Sequence, residues 1–385
     1  MTQSTPLTRP VVKVRDSNIE LFRIISMFLI VAHHYVYNSG LLENGPIYAD
    51  PTAPASVFLA LWGAFGKIGI NCFVMITGYF MCTSNISAKK FAKLLLEVVF
   101  YRIIISSIFW ISGYERFSLT AFVKTLLITT KVSHNFTGTF LLFFLCIPFL
   151  NVLIHHLTEK QHIRLLLLTT FIYVFFGTLP FFSVTMNYVS WYMVLYFTAS
   201  YFRLYPKRLF SRTGFWGIAV VGCILLCCAS VVLGLLVYAK FGKNMTYYFV
   251  TDSNTLLAYL TGICGFMFFK NLKIKPSRVI NTISSTTFGV LLIHANSDTM
   301  RRWLWSDVLQ NVRVYSTKWV YLHAIGSVLI VFAVCAAIDL ARIHLIEKPF
   351  FVWWDKRFDK FAQKYASLEN KLCQKLKIGV DEENN

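Results

Sequence analysis

Arg23 and His34 lie inside the first apolar run of the chain, from Ile19 to Tyr37. A bilayer-spanning helix has little use for either side chain, and ionisable groups at that depth mark functional sites by default. The eleven positions between them carry a helix about 20° beyond three full turns and about 16 Å along its axis, so both residues point the same way. Glu20 sits one turn from Arg23 on the same stripe. The helix therefore offers a carboxylate, a guanidinium and an imidazole along one face. An imidazole takes up and returns a proton near neutral pH. A guanidinium holds phosphate or a developing oxyanion through charge-assisted hydrogen bonds.

The composition says what surrounds that face. The 385 residues are 56% hydrophobic, 17% aromatic and only 14% charged, with a mean hydropathy of +0.58. That is too apolar for a soluble domain and describes a polytopic membrane protein. A net charge of +19 could suggest nucleic acid. The basic residues instead fall in short clusters between apolar runs, which membrane topology explains and a nucleic-acid surface does not. Most of the nine cysteines, among them Cys72, Cys146, Cys223 and Cys264, lie within apolar runs. They read as small core residues, with neither a disulfide framework nor a metal site implied. The polar, basic start and the long run carrying Arg23 argue against a cleaved signal peptide.

Windows of about 20 apolar residues give about ten transmembrane helices and an all-α fold. The expected spans are 18–38, 57–82, 94–112, 138–156, 165–182, 188–205, 215–238, 254–271, 279–298 and 319–343. The second could also be a short surface helix followed by a span starting at Lys67. Loops on the side of the N-terminus hold 26 of the 37 Lys and Arg, against 9 on the other side, so both termini are expected to be cytoplasmic. Arg23 then lies near the inner face and His34 in the outer half. The ninth span runs outward and brings His294 to nearly the height of His34, where two imidazoles could line one cavity.

Three segments follow: residues 1–17 as a cytoplasmic N-terminal stretch, 18–349 as the membrane domain, and 350–385 as a basic amphipathic cytoplasmic tail. In the tail Phe358, Phe361, Tyr365, Leu368 and Leu372 recur at helical spacing, the pattern of a helix lying on the inner membrane surface. His33, about 100° around the helix from His34, reads as a packing residue. Lys67 and Asn71 are four apart and could share a face near Arg23 or His34. Glu347 reads as a cap on the tenth span against a cytoplasmic basic group. Trp191 and Tyr192 read as aromatic-belt anchors, with stacking on a sugar ring as the sharper alternative.

The stretch from Arg15 to His34, with its Arg, ten residues, His pattern, resembles the opening of the acyltransferase family 3 membrane proteins. Further similar stretches are GKIGINCFVMITGYF at 66–80, FLLFFLCIPFLNVLI at 140–154, WYMVLYFTASYFRLYP at 191–206, TTFGVLLIH at 286–294 and IEKPF at 346–350. Their order and spacing cover nearly the whole chain. The resemblance implies transfer of an acyl group, commonly acetyl from acetyl-CoA, to hydroxyls of a cell-surface polysaccharide or other sugar. It also implies a multi-pass protein of a bacterial plasma membrane, in contact with lipid and with polysaccharide synthesis machinery, and needing no metal. Two departures stand out. Lys90 and Lys93 occupy the place of a basic Arg pair found in many relatives, and Gly138, Thr139 and Phe140 replace a Trp-Phe pattern.

For such a reaction His34 is the expected base, or else a transient acyl carrier. Arg23 would hold donor phosphate or orient the thioester. Glu20, Lys90, Lys93, Asn71 and His294 complete the expected substrate-binding set, with Lys90 and Lys93 meeting CoA phosphates as point charges. His294 reads equally as a wall of the substrate site and as polar glue between spans. A carrier or flippase for a glycan or lipid-linked sugar is the competing reading of the same composition, and a non-catalytic partner of a polysaccharide synthase is a third.

Overall fold

The computed structural model describes residues 15–84, 86–127, 136–182 and 187–357, together with 367, 368 and 371. Among them every regular element is helical. The helices used below are α1 (Ser17–Tyr37), α2 (Pro54–Gly63), α3 (Gly66–Met81), α4 (Ala88–Ile111), α5 (Phe136–His156), α6 (Glu159–Thr178), α7 (Tyr188–Leu204), α8 (Thr213–Phe241), α9 (Leu256–Asn271), α10 (Arg278–Ser285), α11 (Thr287–His294) and α12 (Val320–Arg342). Two compact units divide the chain after Cys335. The site lies in the first.

Seven of the described helical stretches are long and apolar enough to cross a bilayer, where the sequence suggests ten. The three expected spans that fall short are α7 at 17 residues, α9 at 16, and the ninth, which is cut into two eight-residue pieces, α10 and α11. The cut has a local cause. Ser285, Thr286 and Thr287 each donate a hydroxyl hydrogen bond to the carbonyl three residues back, at 2.6, 2.8 and 2.9 Å. Side chains that compete in this way for backbone acceptors weaken a helix interior. The second expected span is also interrupted, between Gly63 and Gly66.

Around α1 pack α2, α3, α9, α10 and α11. The approach of α3 to α1 depends on missing side chains. A Cβ on Gly66 would stand 2.3 Å from the His33 side chain, and one on Gly69 would stand 2.6 Å from the Ser26 carbonyl oxygen. Small residues at such crossings let backbones approach, which is how helices associate in lipid without a hydrophobic drive.

Buried amides tie the bundle together. Asn71 on α3 accepts from the Trp191 indole at 3.0 Å and donates to the carbonyls of Ser253 and Ala258 at 2.6 and 3.3 Å. Asn151 on α5 donates to Met81 and Ser84 carbonyls at 3.1 and 3.3 Å and accepts from the Tyr196 hydroxyl. Trp191 and Tyr192 are fully buried, so the aromatic-belt expectation for them is corrected: the Trp191 N–H needs a partner once buried, and Asn71 supplies it.

In the second unit Arg342 is buried between Asp339, 2.7 Å from its Nε, and Glu347, 2.8 Å from its Nη1. One basic partner of Glu347 is thus a residue of the same helical stretch. Of the tail positions with helical spacing, Phe358, Phe361, Tyr365 and Leu372 lie outside the described residues.

Candidate active site

The stripe on α1 resolves into two clusters. At its beginning, Arg23 Nη1 donates to Glu20 Oε2 at 3.1 Å, and the Ser284 hydroxyl at the end of α10 donates to the same oxygen. Glu20 and Ser284 are buried, whereas the Arg23 side chain keeps 22% of its surface accessible. Its guanidinium lies 6.0 Å from the centre of the Phe73 ring. Only one of its five N–H groups has a partner among the described residues. Glu20 thereby fixes the arginine and leaves the rest of the fork open to an anion.

Three turns on, His34 Nδ1 lies 2.9 Å from His294 Nε2. The protons in this pair follow from its surroundings. His294 Nδ1 is 2.6 Å from the Val290 carbonyl, and a carbonyl only accepts, so His294 carries its proton on Nδ1. A neutral imidazole has one N–H, which leaves His294 Nε2 as an acceptor. His34 must then donate from Nδ1, and its Nε2 holds the lone pair. His294 is fully buried at the end of α11, while His34 is half-buried and accessible. An orienting group behind the imidazole and a lone pair in front is the arrangement of a directed general base.

The neighbours complete the electrostatics. Lys67 and Arg301 bring positive charge into the neighbourhood of His34. Lys67 donates to the Tyr188 hydroxyl at 2.6 Å, and Arg301 is paired with Asp298 one turn away. Trp305, fully buried, presents its ring edge-on to His294 at 6.5 Å. His33 points elsewhere, donating to the Gly63 carbonyl at 2.8 Å and stacking on Tyr37 with ring centres 3.9 Å apart.

Of the residues expected at the site, Arg23 and Glu20 come together at the beginning of α1, and His34 and His294 come together three turns on. Asn71 is buried in the knot with Trp191, with its amide spent on protein partners. Lys90 and Lys93 are exposed in the first turns of α4, on a separate helix. Arg301, Trp305 and Ser284 join the site only through the fold. In the sequence Arg301 reads as an ordinary loop cation, and only the fold brings it towards the imidazoles.

The chain matches no curated protein and no solved structure. Residues 16–341 match the family described as an acyltransferase domain. That range begins one residue before α1 and takes in both clusters, so the chain belongs to acyltransferase family 3 and is a membrane acyltransferase.

Proposed function

We propose that the protein moves an acyl group, acetyl in the first instance, from acyl-CoA to a hydroxyl of a cell-surface or exported polysaccharide. In this reading the chain crosses the plasma membrane about ten times, with both termini in the cytoplasm. The acceptor hydroxyl donates to His34 Nε2. As its oxygen attacks the thioester carbonyl carbon, the proton passes to His34, and the new imidazolium is held by its Nδ1–H bond to His294. The carbon–sulfur bond then breaks, and the CoA thiolate leaves and recovers a proton from His34. Arg23, held by Glu20, binds the anionic donor or the thioester oxygen.

Lys90 and Lys93 supply further positive charge for CoA phosphates. They stand at a helix N-terminus that has no acidic residue in its first turn, against the preference of the helix dipole. Such a local conflict is expected where function requires it.

The observation that carries this reading is the 2.9 Å contact between His34 and His294, oriented so that one lone pair is left free, in a chain of this family. Purified protein in detergent, given radiolabelled acetyl-CoA and isolated surface glycan, should yield labelled glycan. Glycan that stays unlabelled while its export depends on the protein would favour a carrier instead.

A further inference from the structure

A cavity of about 630 Å³ opens beyond the C-terminal end of α1, lined by the rings of Tyr37, Tyr48, Tyr247 and Tyr248 with Glu43 and Asn244. Its size is within the roughly 300–1,000 Å³ of small-ligand sites. The rings are held in place from behind. Tyr247 donates to the Ala60 carbonyl and Tyr248 to the Thr178 carbonyl, each at 3.1 Å. Tyr48 donates to Asn244 Oδ1 at 3.1 Å and lies against Tyr238 with centres 4.5 Å apart. Tyr37 sits between His33, at 3.9 Å, and Tyr247, at 5.0 Å. Walls fixed in this way spare a ligand the cost of ordering them.

The lining selects a ligand by chemistry. It contains no Lys or Arg, so the phosphates of CoA have nothing to hold them, and the Glu43 carboxylate repels anions. An acyl chain would meet phenol and carboxylate edges where it needs hydrocarbon. A pyranose ring fits both parts: its C–H face lies on an aromatic ring, and its hydroxyls reach the exposed Glu43 carboxylate and Asn244 amide. Neither Glu43 nor the Asn244 amide nitrogen has a hydrogen-bond partner among the described residues. Tyr37 is also three residues from His34, hence its neighbour on the helix face. A sugar seated in the cavity would lie beside the turn of α1 that carries the imidazole.

We propose that this tyrosine-lined cavity is the acceptor subsite and that it takes a neutral or amino sugar unit, not a uronic acid. The proposal rests on the transferase reading for its purpose but not for its test. Full-length protein in lipid nanodiscs is incubated, without acyl-CoA, with tritiated methyl glycosides of glucose, galactose, N-acetylglucosamine and glucuronic acid. At least one of the three uncharged glycosides should bind saturably and more tightly than the glucuronide. Tyr48→Ala and Glu43→Gln should each weaken that binding about ten-fold, the size of one lost stacking or hydrogen-bond contact. Tyr48→Phe, which keeps the ring, should retain most of it and so controls for folding. No saturable binding of any uncharged glycoside would overturn the proposal, as would binding unchanged in both weakening variants or a preference for the glucuronide. A protein that binds the glycoside yet transfers no acetyl would refute the transferase reading and leave the cavity a sugar site.

Discussion

Two consecutive residues of α1 each meet a histidine of another helix, and the two pairs differ in what they leave over. His34 meets His294 of α11 at 2.9 Å, and Tyr35 meets His323 of α12 at 2.8 Å. The first pair is backed by the Val290 carbonyl, ends on an accessible imidazole nitrogen and lies within the fields of Lys67 and Arg301. In the second, Tyr35 is fully buried, and His323 is bonded further to the Ser327 hydroxyl at 3.4 Å and to the Leu309 backbone. Similar distances therefore do not mean similar roles. A pair that ends on an open lone pair can do proton chemistry, whereas a pair that closes on itself stitches helices together.

The comparison breaks most clearly at His34. His34→Ala should lower acyl transfer by about 10²–10⁴, the range for loss of a general base, with membrane abundance unchanged on an immunoblot. A variant that transfers normally would place His34 with the stitching residues.

Next comes the orienting partner. His294→Ala should cost about 10–100-fold in kcat, as removal of a group that fixes an imidazole usually does. His294→Asn, whose amide oxygen can still accept from His34, should recover part of the loss. Equal losses in the two variants would mean that His294 matters only for packing.

Arg23→Lys keeps the charge but loses the planar fork. It should raise KM for acetyl-CoA about ten-fold and move kcat much less, as steady-state kinetics would show. A fall in kcat alone would put Arg23 at the transition state instead of at the donor.

The smallest effect belongs to the second pair. Tyr35→Phe removes one buried hydrogen bond, worth about 1 kcal/mol of stability, and should leave transfer within about two-fold. A thermal-shift measurement beside the transfer assay separates the two effects. A large loss of activity without a shift would extend the proton path to His323.

The sequence carries much of this site because its geometry is local. Glu20, Arg23 and His34 share a face by helix periodicity alone, and the outward direction of the ninth span brings His294 level with His34. What depends on partners distant in sequence is hidden. Trp191 stands at the start of an apolar run, where an indole ordinarily anchors at the interface, and nothing near it in sequence names Asn71 as its acceptor. Arg301 is indistinguishable from any loop cation until the chain folds. Hydropathy averages also pass over the hydroxyl run at 284–287 that divides the ninth span, since four small polar residues barely lower a 20-residue mean. The break matters, because it delivers the Ser284 hydroxyl to Glu20 and starts the separate α11 that carries His294.

The most direct measurement is a double-mutant cycle on acyl transfer using the natural protein, His34→Ala, His294→Ala and the double variant at matched abundance. Groups that act as one unit are strongly non-additive. The double variant should therefore be no slower than His34→Ala alone. A double variant slower by the product of the two single losses would mean that the histidines act independently, and the directed base would have to be abandoned.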